Sequence, residues 1–262
     1  LLSPSQSGFR SGHSTLTQLT KAQAFIIDNI NQLRCVDGVY TDLSKAFDTI
    51  LHSKLLLKLY AYGIQGPLLS WLKSFLNDRV QRVSINSALS NSKPCTSGVP
   101  QGSILSPLLF LIYVNDLPEC IKHSMVFLYA DDAKLLKSIS CRLDCLLLQQ
   151  DLDAVANWCS TWQLALNIAK WVYTRYGLAD KPFFDYTLSG VKLARTQLIN
   201  DLGILFDPKL NFSAHCHNVA AKGFARVSML LKNFYSKNRQ LQCKLFATFV
   251  KPILEYNSPI WS

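Results

Sequence analysis

The stretch Met125-Val-Phe-Leu-Tyr-Ala-Asp-Asp-Ala-Lys-Leu-Leu-Lys137 places two adjacent acids inside an apolar phrase. Met125 to Ala130 reads as one strand, Asp131-Asp132 as its turn, and Ala133 to Lys137 as the return strand. Neighbouring like charges on a buried hairpin repel and are costly to desolvate. A hard divalent cation relieves both problems, because Mg²⁺ prefers carboxylate oxygens and keeps waters for phosphate oxygens. Asp is also a common turn residue, so the hairpin alone leaves an ordinary turn as an alternative. Successive strand side chains point to opposite faces, which makes one acid the better ligand. Asp131 is expected to be the bridging one and Asp132 the more peripheral.

A third acid, Asp42, lies in a short apolar strand predicted over Val39 to Leu43, after Gly38. Much of the text around these sites is helical. Leu16, Leu19, Ile26, Ile30 and Leu33 recur at helical spacing and predict a helix from His13 to Arg34. Further helices are expected over Ser53 to Tyr62, then from Gly66-Pro67 to Leu76, and from Ser103 to Asn115. Arg79 to Ile85 alternates like a strand. Beyond the hairpin, a helix is predicted from Arg142 to Trp162. Strands follow near Val172 to Tyr176, Tyr186 to Leu188 and Leu198 to Phe206, with helices over Ala214 to Tyr235 and Gln240 to Ile253. Strands and helices mix without regular βαβ alternation, so the fold class is α+β rather than a doubly wound sheet.

Composition agrees with a folded chain. Of 262 residues, 49% are hydrophobic and 17% charged, which excludes a disordered segment. The formal net charge of +10 favours a polyanionic partner such as nucleic acid or an anionic membrane. The longest apolar run, Ile104 to Val114, is interrupted by Ser106 and Pro107 and falls short of the roughly 18 residues of a membrane span. The eight cysteines are scattered without a paired C-x-x-C and suit reduced thiols in an intracellular protein. His215-Cys216-His217 has no second ligand cluster at finger spacing, so zinc is not expected.

The acids sit in phrases that resemble the reverse transcriptases of non-LTR retrotransposons, with a texture similar to jockey-like and CR1-like elements. Thr41-Asp-Leu-Ser-Lys-Ala-Phe-Asp48 resembles motif A of that family, Gly98-Val-Pro-Gln-Gly-Ser-Ile-Leu-Ser-Pro107 motif B, and Tyr129-Ala-Asp-Asp132 motif C. Gln6-Ser-Gly-Phe-Arg10 resembles the phrase ahead of motif A. Trp162-Gln-Leu-Ala-Leu-Asn167 with Lys170 resembles motif D, and Asp201-Leu-Gly-Ile204 motif E. Leu254-Glu-Tyr256 and Trp261 resemble the closing phrase. Any one motif is weak evidence; their order over nearly the whole chain is specific.

The resemblance implies a right-hand polymerase palm, a mixed or antiparallel sheet packed on helices. Residues 1–34 would be partial fingers and 35–207 the palm, with fingers helices inserted at about 52–90; residues 208–262 would begin a helical thumb. It implies RNA-directed DNA polymerisation from deoxynucleotides onto a DNA primer on an RNA template, in the nucleus or cytoplasm. Two Mg²⁺ ions, with Mn²⁺ as an alternative, would be held by Asp42, the Leu43 carbonyl, Asp131 and Asp132. Phe47 would be the wall under the sugar, Gln101 and Gly102 would line the nascent base pair, and Lys170 would protonate pyrophosphate. Lys45 and Asp48 would position. Lys222, Arg226 and Lys232, among other helical cations, would grip duplex phosphates. The family's fingers strands and endonuclease lie outside this sequence, which opens at Leu1 and reads as a fragment. Trp171 and Ala133 stand where the family has small polar residues. The alternative is therefore a truncated, inactive remnant that at most binds nucleic acid.

Overall fold

The computed structural model describes residues 2–43, 46–177, 184–236 and 238–262, and for Asp42 and Ala46 only the backbone. Helix α1 (Thr15–Asn31) starts at Ser14, whose hydroxyl closes a capping box with Thr17. Strand β1 (Cys35–Asp42) follows, then helices α2 (Ala46–Thr49), α3 (His52–Ala61) and α4 (Gly66–Leu76). Four two-residue strands come next: β2 (Val80–Gln81), β3 (Ser84–Ile85), β4 (Ala88–Leu89) and β5 (Lys93–Pro94). Helix α5 (Leu105–Val114) precedes the hairpin β6 (Met125–Tyr129) and β7 (Asp132–Ile139), and helix α6 (Arg142–Trp162) leads to β8 (Val172–Tyr176). Short strands β9 (Thr187–Leu188), β10 (Val191–Lys192), β11 (Ala194–Arg195), β12 (Ile199–Asp201) and β13 (Ile204–Phe206) end the sheet region. Helices α7 (Ser213–Asn233), α8 (Arg239–Phe249) and α9 (Lys251–Glu255) follow.

The central sheet has the order β11-β8-β1-β7-β6. β1 runs antiparallel to both neighbours, and the β11–β8 pair is parallel. The sequence of β1 explains its place in the middle, since it is buried on both faces. Cys35 and Val39 face a large core built with α5 and α6, while Val36 and Tyr40 face a second core with α1 and the β12–β13 hairpin. Gly38 sits where a side chain would crowd Leu136 and Tyr176, at 3.0 and 3.2 Å from its Cβ. The apolar helix α5 is buried at Leu109, Phe110, Leu111, Tyr113 and Val114, as its sequence demands. Among the described residues no helix is long and apolar enough to cross a membrane.

Three buried polar clusters pin the elements together. Asp37 is fully buried and takes hydrogen bonds of 2.6 Å from Arg175 Nε, Arg175 Nη2 and the Tyr186 hydroxyl. Lys134 pairs with Asp201, tying β7 to β12. Lys58 donates to the Tyr113 carbonyl and to Asp116 and lies 3.7 Å from the Trp162 ring centre. Its burial, only partly offset by Asp116, lowers its pKa to about 8.

Several expectations need correction. β1 begins at Cys35, four residues before the predicted strand. Arg79 to Ile85 is not one strand, for β2 pairs with β5 and β3 with β4 in two exposed ribbons that never join the core. Leu198 to Phe206 is a hairpin, turned by Leu202 and Gly203 at φ 46° and 86°. The last predicted helix breaks into α8 and α9 at Val250, because Pro252 has no N–H to continue the ladder. Trp171 and Ala133, the two departures from the family pattern, are both core residues, at 1% and 7% exposure. Their apolarity is accounted for by packing.

Candidate active site

The site lies where β1 ends beside the β6–β7 hairpin. The turn is Ala130-Asp131, not Asp131-Asp132: Tyr129 pairs with Asp132, so Asp132 is the first residue of β7. Ala130 takes φ 53°, the left-handed backbone that two-residue hairpin turns require and that costs an L-residue about 1 kcal/mol. The β1–β7 register sets Asp42 directly opposite Asp132. Asp131 is half-buried and Asp132 exposed. The Leu43 N–H donates to the Asp131 carbonyl at 3.3 Å, so the end of β1 holds the turn. Three acidic positions thus meet at one end of the sheet. Among the described residues no cluster of three or more metal-ligating side chains is complete, and the Asp42 carboxylate lies outside that set.

The loop after β5 is stitched to α2. Val99 N–H donates to the Phe47 carbonyl and Gly98 N–H to the Ile50 carbonyl, each at 2.8 Å. A Cβ on Gly98 would lie 2.7 Å from the Asp48 carbonyl oxygen, and its φ of 79° would strain any other residue. The Gly98 carbonyl accepts from Arg79 Nη2 at 2.9 Å and from His52 Nε2 at 2.8 Å. Gln101 Nε2 then donates to Asp48 Oδ1 at 2.8 Å, on the exposed side. Gly102 has a φ of 86°, and none of the described residues lies within 4 Å of where a Cβ would stand. Phe47 is half-buried; its ring stacks on Phe110 at 4.5 Å and meets Phe9 edge-on at 6.1 Å. Phe47, Asp48, Gln101 and Gly98 therefore form one unit.

Lys170 is exposed on a single 3₁₀ turn ahead of β8. Lys222 and Arg226, one turn apart on α7, line a cleft of about 730 Å³ with Gly203, His215 and Tyr256. Lys232 is exposed in the last turn of α7 and does not line that cleft. Tyr256 reaches back, its hydroxyl donating to the Leu202 carbonyl at 3.1 Å. Lys45 and Lys237 lie outside the described residues.

Sequence reasoning missed two contributors. Lys134 pairs with Asp201 two residues from Asp132, on the same face of β7. A cation in the apolar part of the strand was the available signal. Gln6 is 2% exposed and bonds the Ala130-Asp131 hairpin turn, and nothing local to its own stretch announces that.

A sheet with acids at the end of its central strand, facing an acid-bearing hairpin, defines a polymerase-type palm. Residues 1–206 match the model of the reverse transcriptase (RNA-dependent DNA polymerase) family, and the chain belongs to that family. It is 30% identical to the RNA-directed DNA polymerase of the mobile element jockey of Drosophila melanogaster, over 98% of this chain and 29% of that protein. It is also 30% identical to a probable RNA-directed DNA polymerase from transposon BS of the same fly, over 100% of this chain and 30% of the relative. The chain thus spans under a third of the length of these relatives. Among solved structures, apo telomerase from Candida tropicalis superposes with a TM-score of 0.54 at 12% identity, over 98% of this chain and 46% of telomerase. That likeness shows the fold.

Proposed function

We propose that this chain is the nucleotidyl-transfer centre of an RNA-directed DNA polymerase, extending a DNA primer on an RNA template from deoxynucleoside triphosphates. The observation that carries the reading is the register of Asp42 against Asp132 with Asp131 in the adjoining turn. An all-oxygen donor set of carboxylates suits Mg²⁺, or Mn²⁺, and not zinc. Asp42 and Asp131, with the Leu43 carbonyl, would hold two ions, and Asp132 would be the lesser ligand. In support, Asp131 is half-buried, and its carbonyl is bonded to Leu43. Bound there, paired cations supply charge stabilisation for the attacking and leaving oxygens of an in-line displacement.

The chain's own residues place the reactants. Phe47, backed by Phe110, forms a rigid wall against which a ribose 2′-hydroxyl would collide. Gln101, held by Asp48, lines the position of the nascent base pair beside Gly102. Lys170 would give a proton to the departing pyrophosphate. Lys222 and Arg226, and more distantly Lys232, would meet duplex phosphates, with residues 208–262 beginning a thumb, 1–34 forming partial fingers, and 35–207 the palm with its inserted fingers helices. The two fly relatives are named as RNA-directed DNA polymerases, and a telomerase of the same fold was solved with a fragment of telomeric RNA. Both favour an RNA template and an intracellular place of work.

The test is primer extension on an RNA template with Mg²⁺ and deoxynucleotides, comparing the chain with Asp131→Asn. Whatever extension the chain supports is expected to be lost in the variant. Equal extension by both proteins defeats the metal assignment. Template binding without extension by either protein supports a nucleic-acid-binding module in place of an enzyme.

A further inference from the structure

The segment ahead of α1 is folded against the catalytic hairpin. Ser7 N–H donates to the Leu128 carbonyl and Leu128 N–H to the Ser5 carbonyl, each at 2.8 Å, and Gln6 forms a parallel bridge with Leu128. Residues 5–7 therefore extend the sheet beyond β6. Arg10 closes this segment on itself, its Nη1 donating to the Ser3 and Gln6 carbonyls at 2.7 and 3.0 Å.

From there the Gln6 side chain enters the turn. Its Oε1 accepts from Ala130 N–H at 3.0 Å and from Gly8 N–H at 2.7 Å, and its Nε2 donates to the Ala130 carbonyl at 3.4 Å. One amide thus satisfies both backbone groups of the residue that carries the left-handed φ. Gly8 lies so close that a Cβ there would stand 2.3 Å from the Ala130 nitrogen. Next along the chain, Phe9 meets the Phe47 ring. A buried polar side chain and a glycine with no room for a methyl both aim at Ala130, the residue before Asp131.

We propose that Gln6 is a positioning residue for the catalytic carboxylates: its amide fixes the Ala130-Asp131 turn and thereby the cation affinity of Asp131 and Asp132. This rests on the reading of those acids as cation ligands given above. Groups that orient metal ligands without touching the metal commonly change affinity or activity about 10- to 100-fold when lost. Gln6 acts one step further back, through the backbone, so the low end of that range applies.

The experiment uses the whole chain and three substitutions, with Mn²⁺ binding followed by electron paramagnetic resonance without nucleic acid, and primer extension alongside. Gln6→Met keeps the length of the side chain and removes its bonding. The half-saturating Mn²⁺ concentration is expected to rise about 10-fold and kcat to fall about as much, with the deoxynucleotide KM within about twofold. Gly8→Ala, which forces Ala130 to shift, is expected to move both quantities in the same direction. A purely structural role lowers the melting temperature of Gln6→Met while Mn²⁺ affinity and kcat of the folded protein stay unchanged, and that result overturns the proposal. If Gln6→Met does not fold, amide hydrogen exchange of the unsubstituted chain decides: protected Gly8 and Ala130 amides support the clamp, and exchange at the rate of an open loop refutes it. Asp131→Asn separates the two levels. Mn²⁺ binding unaffected by Asp131→Asn removes the reading of the site and this inference with it. Binding lost in Asp131→Asn but unchanged in Gln6→Met removes this inference alone.

Discussion

Replacing Arg175 by Met should be among the most destabilising single changes outside the active site, because it strands a buried carboxylate. Asp37 has no exposed surface, and three donors converge on it at 2.6 Å. Burial alone would pull the Arg175 pKa down, but the bonds and charge of Asp37 override it and hold the guanidinium firmly protonated. Burial and the same carboxylate push the Tyr186 hydroxyl far above its usual range, so it stays a donor. The variant loses two charge-assisted bonds, each worth about 1.5–3 kcal/mol, and leaves Asp37 with Tyr186 as its remaining donor in this cluster. Breaking one side of a buried ion pair costs about 3–5 kcal/mol. With a urea slope of about 3 kcal/mol/M, the unfolding midpoint falls by about 1–1.7 M, readable by tryptophan fluorescence. The double variant Arg175→Met with Asp37→Leu removes both charges and takes the carboxylate partner from the Tyr186 hydroxyl, at about 1–3 kcal/mol. It should therefore be more stable than Arg175→Met alone. A single-variant cost below about 1 kcal/mol, or a double variant less stable than the single, would refute the reasoning.

Other expectations follow from single observations. His215 is buried with Nδ1 accepting from Leu205 N–H, and burial, then the charge of Lys222, lowers its pKa. The unfolded chain takes up a proton near pH 6.5 that the folded imidazole resists, so this contribution is complete above that pH and lost below it. Urea unfolding at pH 7.5 and 5.5 should show the drop, and His215→Gln should reduce it; an unchanged drop in the variant speaks against the assignment. Leu33 ends α1 at φ 56° with 87% of its surface exposed, so Leu33→Gly should relieve strain and raise stability by about 1 kcal/mol, or about 2–4 °C in melting temperature. Phe47→Val, which shortens the wall we propose beneath the sugar, should reduce discrimination against ribonucleotides about 10- to 100-fold in single-nucleotide extension; unchanged discrimination would place Phe47 in the core only.

Much of this structure is legible in the sequence where the signal is local. The helix predicted from Arg142 to Trp162 is α6 with its observed bounds, and Val172 to Tyr176 is β8 as expected. Motif order locates the acids. Local preferences mislead where tertiary partners outvote them. Asp131-Asp132 is better turn text than Ala130-Asp131, yet the ladder with β1 claims Asp132 and leaves Ala130 in the left-handed position. The alternation of Arg79 to Ile85 promises a half-buried strand, but its pairing is with residues just downstream, in ribbons that face solvent on both sides. Long-range polar partners such as Gln6 with Ala130 or Lys134 with Asp201 have no period or spacing to betray them.

The bonds that set the centre join residues made far apart in time. Gln6 reaches Ala130 across 124 positions, Asp37 reaches Arg175 across 138, and Thr15 meets Asn257 across 242. Contacts of such separation form late and slowly in a folding chain. As the chain is synthesised, residues 5–8 must wait for β6 before they have anything to bind, and β1 lacks β8 until residue 176 has been added. A ribosome product that stops before that point carries the hairpin and most of the motifs, but β1 has no partner on its other edge. Its half-built sheet would expose the strand edges that invite aggregation. Competence in this architecture arrives late in synthesis, and largely at once.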